Sequence, residues 1–226
     1  MYISTVIAGK SFTQQPSTSN WVTVQMPVIY NSHWQSLHEA SYRTLGEAFK
    51  LNQLFLRSGA RYTFNPKWNT SLICDIVHSR VKPYDKNDLE FGDEIRLTEE
   101  INHRYPVGKT YTLQHRLRIE ERFFGETSLG HDYKALRFRY RLAALKKLFD
   151  KWDIQLANEY LRQLLDGDFK FSSNRLSFSC YFRFATNAHI EATYYWIKFP
   201  LQSQHVFSVA FQNRIIVKHK KKSNGG

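Results

Sequence analysis

Nine histidines, two cysteines and the serines beside them are the groups from which this chain would build hydrolytic or metal chemistry. Their spacing does not support it. No two histidines stand in the H-x-x-x-H register of a metal-binding helix, or in the H-x-H register that puts both rings on one face of a strand. Cys74 and Cys180 cannot form a C-x-x-C pair, and two thiolates do not by themselves complete a tetrahedral metal site. The nucleophile elbow G-x-S-x-G, the phosphate-binding loop and G-x-G-x-x-G are all absent. His78-Ser79 and His131-Asp132 set a base beside a nucleophile or an acid. Neighbours on a strand point to opposite faces, so His78 and Ser79 do not form a dyad. The sequence therefore assigns no catalytic residue, no metal ligand and no cofactor.

Arginine is the residue type whose spacing carries a signal. Residues 112–123 read TLQHRLRIEERF and residues 134–142 read KALRFRYRL. At roughly 100° per residue, a helix would scatter Leu136, Phe138, Tyr140 and Leu142 around its whole circumference. A strand sorts both stretches. It puts Leu113, His115, Leu117 and Ile119 on one face and Gln114, Arg116, Arg118, Glu120 and Arg122 on the other. These are strands with one apolar face and one cationic face.

The same alternation, punctuated by turn residues, predicts strands over 21–29, 33–43, 51–64, 68–79, 90–102, 110–124, 134–144, 152–162, 173–184, 189–199 and 204–217. Many exceed the globular mean of about five or six residues. Short turns at 30–33, 64–68 and 185–189 are interleaved with longer polar loops at 44–50, 80–89, 125–132 and 164–173. Proline falls in turns or at strand ends, with Pro27 admissible only at an edge or a bulge. Long strands, dyad alternation, and short turns facing long loops are the signature of an antiparallel up-and-down transmembrane β-barrel. Trp34, Trp68 and Trp152 each open a strand just after a turn, where they would form an aromatic girdle at one membrane interface. Eleven segments are visible, whereas an even number follows if both chain ends lie on one side. The expectation is ten to twelve strands, with twelve favoured.

In such a barrel the apolar face meets lipid and the charged face lines the lumen. The charged parity carries Arg43, Arg57, Arg61, Arg96, Arg116, Arg118, Arg122, Arg137, Arg139, Arg141, Arg175 and Arg183. Against them stand Glu39, Asp75, Glu90, Glu94, Glu100, Glu120, Asp153, Glu159 and Glu191. The arginine-rich strands near 116 and 137 are flanked by strands bearing Glu94 with Glu100 and Asp153 with Glu159, an arrangement suited to cross-strand ion pairs. Two outcomes stay open: a paired network that plugs the barrel, or a narrow, low-conductance, net-positive lumen for small anionic solutes.

Composition narrows the alternatives. The 226 residues include 32 Lys+Arg against 20 Asp+Glu, a formal charge of +12. Such a balance invites a nucleic-acid reading, but the arginines alternate along strands instead of clustering on one helix or groove. Nucleic acid is therefore not expected as a partner. No apolar run approaches the roughly 20 residues of a spanning helix. No linker divides the chain, which reads as a single domain over 15–217. Residues 1–14 resemble the end of a secretory signal, against the alternative of an ordinary extended N-terminus. Residues 218–226, with the basic run KHKKK, read as a solvated tail.

The succession LNQLFLRSGARYTFNPKW, EFGDEIRLTEE, HRLRIEERF, RFRYRL, NEYL and SSNRLSFSCYFRF resembles a family of bacterial outer-membrane β-barrels known only as a domain of unknown function. The likeness runs from about Trp21 to Val217. It implies a location in the bacterial outer membrane and a fold, without implying a reaction. The ending KSNGG departs from the terminal aromatic usual in such barrels. The expected partners are lipid and small anionic solutes around a monomer. A soluble or secreted basic barrel that binds a ligand or nucleic acid is the principal rival. A lipid-modifying enzyme with its active groups on the barrel rim is the third reading.

Overall fold

The computed structural model describes residues 18–46, 50–81, 90–125, 133–165 and 167–217. They form β1 (Thr18–Gln25), β2 (Val28–Ile29), β3 (Trp34–Leu45), β4 (Lys50–Asn65), β5 (Trp68–Val81), β6 (Glu90–Val107) and β7 (Tyr111–Phe124). The sheet continues with β8 (Tyr133–Lys147), β9 (Trp152–Leu165), β10 (Asp168–Ala185), β11 (Ala188–Lys198), β12 (Ser203–Asn213) and β13 (Ile215–Ile216). From β3 to β12 each strand pairs antiparallel with its successor. β1 then pairs antiparallel with β3 and parallel with β12, which closes the sheet on itself. Closure leaves no unpaired edge to template aggregation.

The ring contains eleven strands, not the favoured twelve. β2 and β13 are short extra pieces below it, separated from β1 by Met26-Pro27 and from β12 by Arg214. An odd ring requires one parallel pair, here Thr18↔His205 through Gln25↔Gln212. The described chain therefore enters at the long-loop rim and leaves at the short-turn rim. The long loop expected at 164–173 also departs from expectation, because β9 runs to Leu165, β10 starts at Asp168 and those two residues are paired. Gly167, at φ +84°, supplies the left-handed conformation that this turn demands. The segments 1–14 and 218–226, like most of the loops expected at 44–50, 80–89 and 125–132, lie outside the described residues.

One row of ladder partners runs Trp34, Tyr62, Thr70, Ile101, Leu117, Tyr140, Tyr160, Asn174, Lys198. It starts at the short-turn rim on β3 and ends at the long-loop rim on β11, which is the stagger a closed barrel needs. Gly59 marks a tight inter-strand approach. A Cβ there would stand 2.5 Å from the Leu72 carbonyl oxygen.

Burial inverts the arrangement of a soluble protein. Leu56, Leu72, Ile76, Ile95, Leu117, Leu156, Phe178, Phe207 and Val209 are each between 44% and 62% exposed, whereas Asp75, Glu100, Glu120 and Arg118 are 0–5% exposed. The interior is filled asymmetrically. β1 and β10 to β12 contribute Ser19, Thr23, Ser177, Ser179, Thr193 and Ser208, leaving room for the long side chains of β6 to β9. Barrels of about eight strands fill with side chains and those of 16–18 leave a channel. At eleven, arginine and glutamate are the side chains long enough to meet near the axis.

Candidate functional site

The charged interior is assembled by strand alternation alone. On β7, Arg116, Arg118, Glu120 and Arg122 share the inner face because their spacing is two. The same rule places Arg137, Arg139 and Arg141 on β8, Glu159 on β9, Arg175 and Arg183 on β10, and Glu191 on β11. On the other side it places Arg57 and Arg61 on β4 and Arg96 on β6. All fourteen are buried or partly buried.

At mid-height five of these charges and Glu100 form a cyclic network with pendant arginines. Glu100 accepts from Arg118, Arg118 lies 3.7 Å from Glu120, and Glu120 is 2.7 Å from Arg139. Arg139 reaches Glu159 at 2.7 Å, Glu159 accepts from Arg116 at 2.6 Å, and Arg116 returns to Glu100 at 4.0 Å. Arg61 adds a contact to Glu100 at 3.4 Å, Arg137 binds Glu120, and Arg175 stands 3.9 Å from Glu159. Each of the three carboxylates thus faces three guanidinium groups, and the layer extends from β4 to β10. Six arginines against three glutamates leave it net positive.

Separate pairs brace the rest of the wall. Asp75 takes two hydrogen bonds from Arg57, at 2.7 and 3.0 Å, in the parallel two-pronged geometry that arginine makes with a carboxylate. Glu94 is gripped the same way by Arg96 and Arg122 together. Arg183 binds Asp153 near the short-turn rim. Among the described residues Arg43 has no carboxylate in hydrogen-bond range. It donates to Gln53 at 2.7 Å and lies over the rings of Trp21 and Phe55.

Below the layer a cavity of about 660 Å³ opens toward the short-turn rim, lined by residues including Glu39, Arg57, Arg104, Gln155, Arg183 and Glu191. Sequence reasoning missed Arg104 because β6 was expected to end at 102. Continued alternation from Glu94 through Glu100 is the signal that would have found it. Gln155 was also missed. It accepts from Arg141 at 2.5 Å and from the Tyr181 hydroxyl at 3.1 Å, and its neutral side chain gave no charge signal.

Trp34, Trp68 and Trp152 all point outward beside short turns, 48%, 43% and 42% exposed. Each meets a ring on the next strand: Tyr62 at 4.9 Å, His103 at 4.2 Å and Phe182 at 4.7 Å. His78 contacts Asp93 at 2.6 Å on the outer face, while Ser79 accepts from Gln53 on the inner face, so the two are kept apart. His131-Asp132 lies outside the described residues.

Among solved structures the chain is similar to OmpT (in-vitro folded), an outer membrane protein of Vibrio cholerae, at 15% identity and a TM-score of 0.44. It is similar also to outer-membrane expressed OmpT of Vibrio cholerae, at 14% identity and the same TM-score. Each match covers 74% of this chain and 51% of the other, so this chain spans about half the length of those proteins. No curated relative matches it. The family described as "Protein of unknown function (DUF2490)" matches residues 18–208, the whole ring from β1 into β12, and the chain belongs to that family.

Proposed function

We propose that the chain is a monomeric bacterial outer-membrane β-barrel, closed across its middle by the Glu100–Glu120–Glu159 layer and open as a vestibule on its short-turn side. The observation that carries this reading is the inversion of burial. An exterior of leucine, isoleucine, valine and phenylalanine around a core of ion pairs is stable where the surrounding solvent is lipid. Two polar pairs on the outside support it by satisfying one another. Asn158 donates to Asn174 at 2.7 Å, and the Tyr194 hydroxyl meets His205 at 2.6 Å. The outward tryptophans supply the amphipathic rings that favour a headgroup layer.

The barrel acts first as a rigid wall, since each buried carboxylate of the layer binds strands to one another. Where that layer is opened, the arginine surplus and the vestibule favour a leak for small anionic solutes. Fixed positive charge in a narrow passage admits ions of opposite sign. Fractionation of native cells and detergent dependence of the purified chain test the location. Recovery in the outer-membrane fraction and aggregation on detergent removal are expected. A monodisperse protein in plain buffer would overturn the membrane reading and favour the soluble barrel.

A further inference from the structure

We propose that the vestibule contains a built oxyanion site between β4 and β8, which takes a phosphate or phosphomonoester group. This deepens the vestibule reading above and rests on it. A cavity of about 130 Å³ lies against the ion-pair layer, lined by Arg61, Arg104, Arg116 and Arg141 with Gln114 and a single carboxylate, Glu100. A water needs roughly 10–15 Å³ on such a measure, so there is room for a tetrahedral oxyanion and its bridging waters.

The donors around this cavity are underused. Glu100 is already engaged by Arg118 and by the Asn102 amide at 2.7 Å, leaving Arg61 a long contact of 3.4 Å. Arg116 spends one nitrogen on Glu159, while its Nε is buried without a hydrogen-bond partner. An orphaned buried donor calls for a water or an ion. Arg141 is held through one nitrogen by Gln155, a neutral group. Arg104, exposed at the vestibule end, has no carboxylate within ion-pair range among the described residues. Each guanidinium carries five N–H donors in a planar fork that matches phosphate oxygens. Four forks around one engaged carboxylate make a site whose missing partner is an anion.

The cavity shares Arg61, Arg104 and Arg116 with the vestibule, so the anion is a free solute or a phosphorylated small molecule and not a headgroup seated on the exterior. Titration calorimetry of the full chain in detergent tests this, with inorganic phosphate and glycerol phosphate as probes at low ionic strength. Saturable one-to-one binding is expected, weakened at least about tenfold by Arg104→Gln, because a charged bidentate contact is lost. Arg116→Lys, which keeps the charge but removes the fork, should weaken it too. Arg162→Gln, on the outer face, should leave it unchanged. Micelles doped with phosphatidylglycerol separate the sources: competition with phosphate would move the site to lipid and overturn the free-solute assignment. No saturable binding, or equal binding by Arg104→Gln, would overturn the site while leaving the barrel reading intact.

Discussion

Glu120 and Arg139 meet at 2.7 Å in the middle of the barrel, with 1% and 10% of their side chains exposed. They lie on adjacent strands, and Arg139 passes the connection on to Glu159 on the third. Removal of one partner from a buried pair costs far more than the pair contributes against an apolar replacement, because a desolvated charge is left uncompensated.

Glu120→Gln leaves Arg118, Arg137 and Arg139 without their shared carboxylate. A loss of about 3–5 kcal/mol is expected in urea-driven unfolding from micelles. An unchanged midpoint would mean that water reaches these arginines freely and that the layer is not sealed.

Leu117 is 49% exposed on the outer face, between Ile101 and Tyr140 in the ladder. Leu117→Arg should destabilise the barrel by about 2–4 kcal/mol if that position lies near the bilayer midplane. The converse change is Glu99→Leu, at an exposed position between Leu97 and Ile101, and it should raise the unfolding midpoint in lipid vesicles. If Leu117→Arg is neutral in vesicles, that face does not meet lipid.

Gly59 has no room for a side chain. The Cβ of valine would approach the Leu72 carbonyl oxygen to 2.5 Å and the Ile73 Cα to 2.9 Å, both backbone atoms that cannot swing aside. Gly59→Val should sharply reduce the folded fraction seen by heat-modifiable gel mobility. Gly125→Ala, whose nearest contact is 3.7 Å, should fold normally.

Strand positions and faces were legible because a period of two is local. Leu117, Leu176, Phe178 and Phe207 are among the exposed large apolar residues, and Arg118 and Arg137 are among the buried polar ones, as alternation requires. The eleven segments visible in the sequence match the eleven strands of the ring, but the odd closure was not legible, because the parallel pairing of β1 with β12 joins residues nearly the whole chain apart and leaves no local mark. The cluster Asp166-Gly167-Asp168 followed by Ser172-Ser173 reads as a loop by composition. In the fold, Phe169 and Phe171 continue the ladder to Leu164 and Arg162. Pro106 suggested an early end to β6, yet it pairs with Thr112, and the extra rungs from His103 to Val107 carry Arg104 into the vestibule. Which carboxylate serves which arginine depends on stagger across three or four strands, so the cyclic layer emerges only when the ring is closed.

Planar-bilayer recording under a salt gradient tests the sealed barrel most directly. The unmodified protein is expected to insert without steady conductance. Glu120→Gln together with Glu159→Gln should open an anion-selective leak, because uncompensated arginines set the field. A steady conductance in the unmodified protein would contradict the seal, and a cation-selective reversal potential in the double variant would contradict the positive interior.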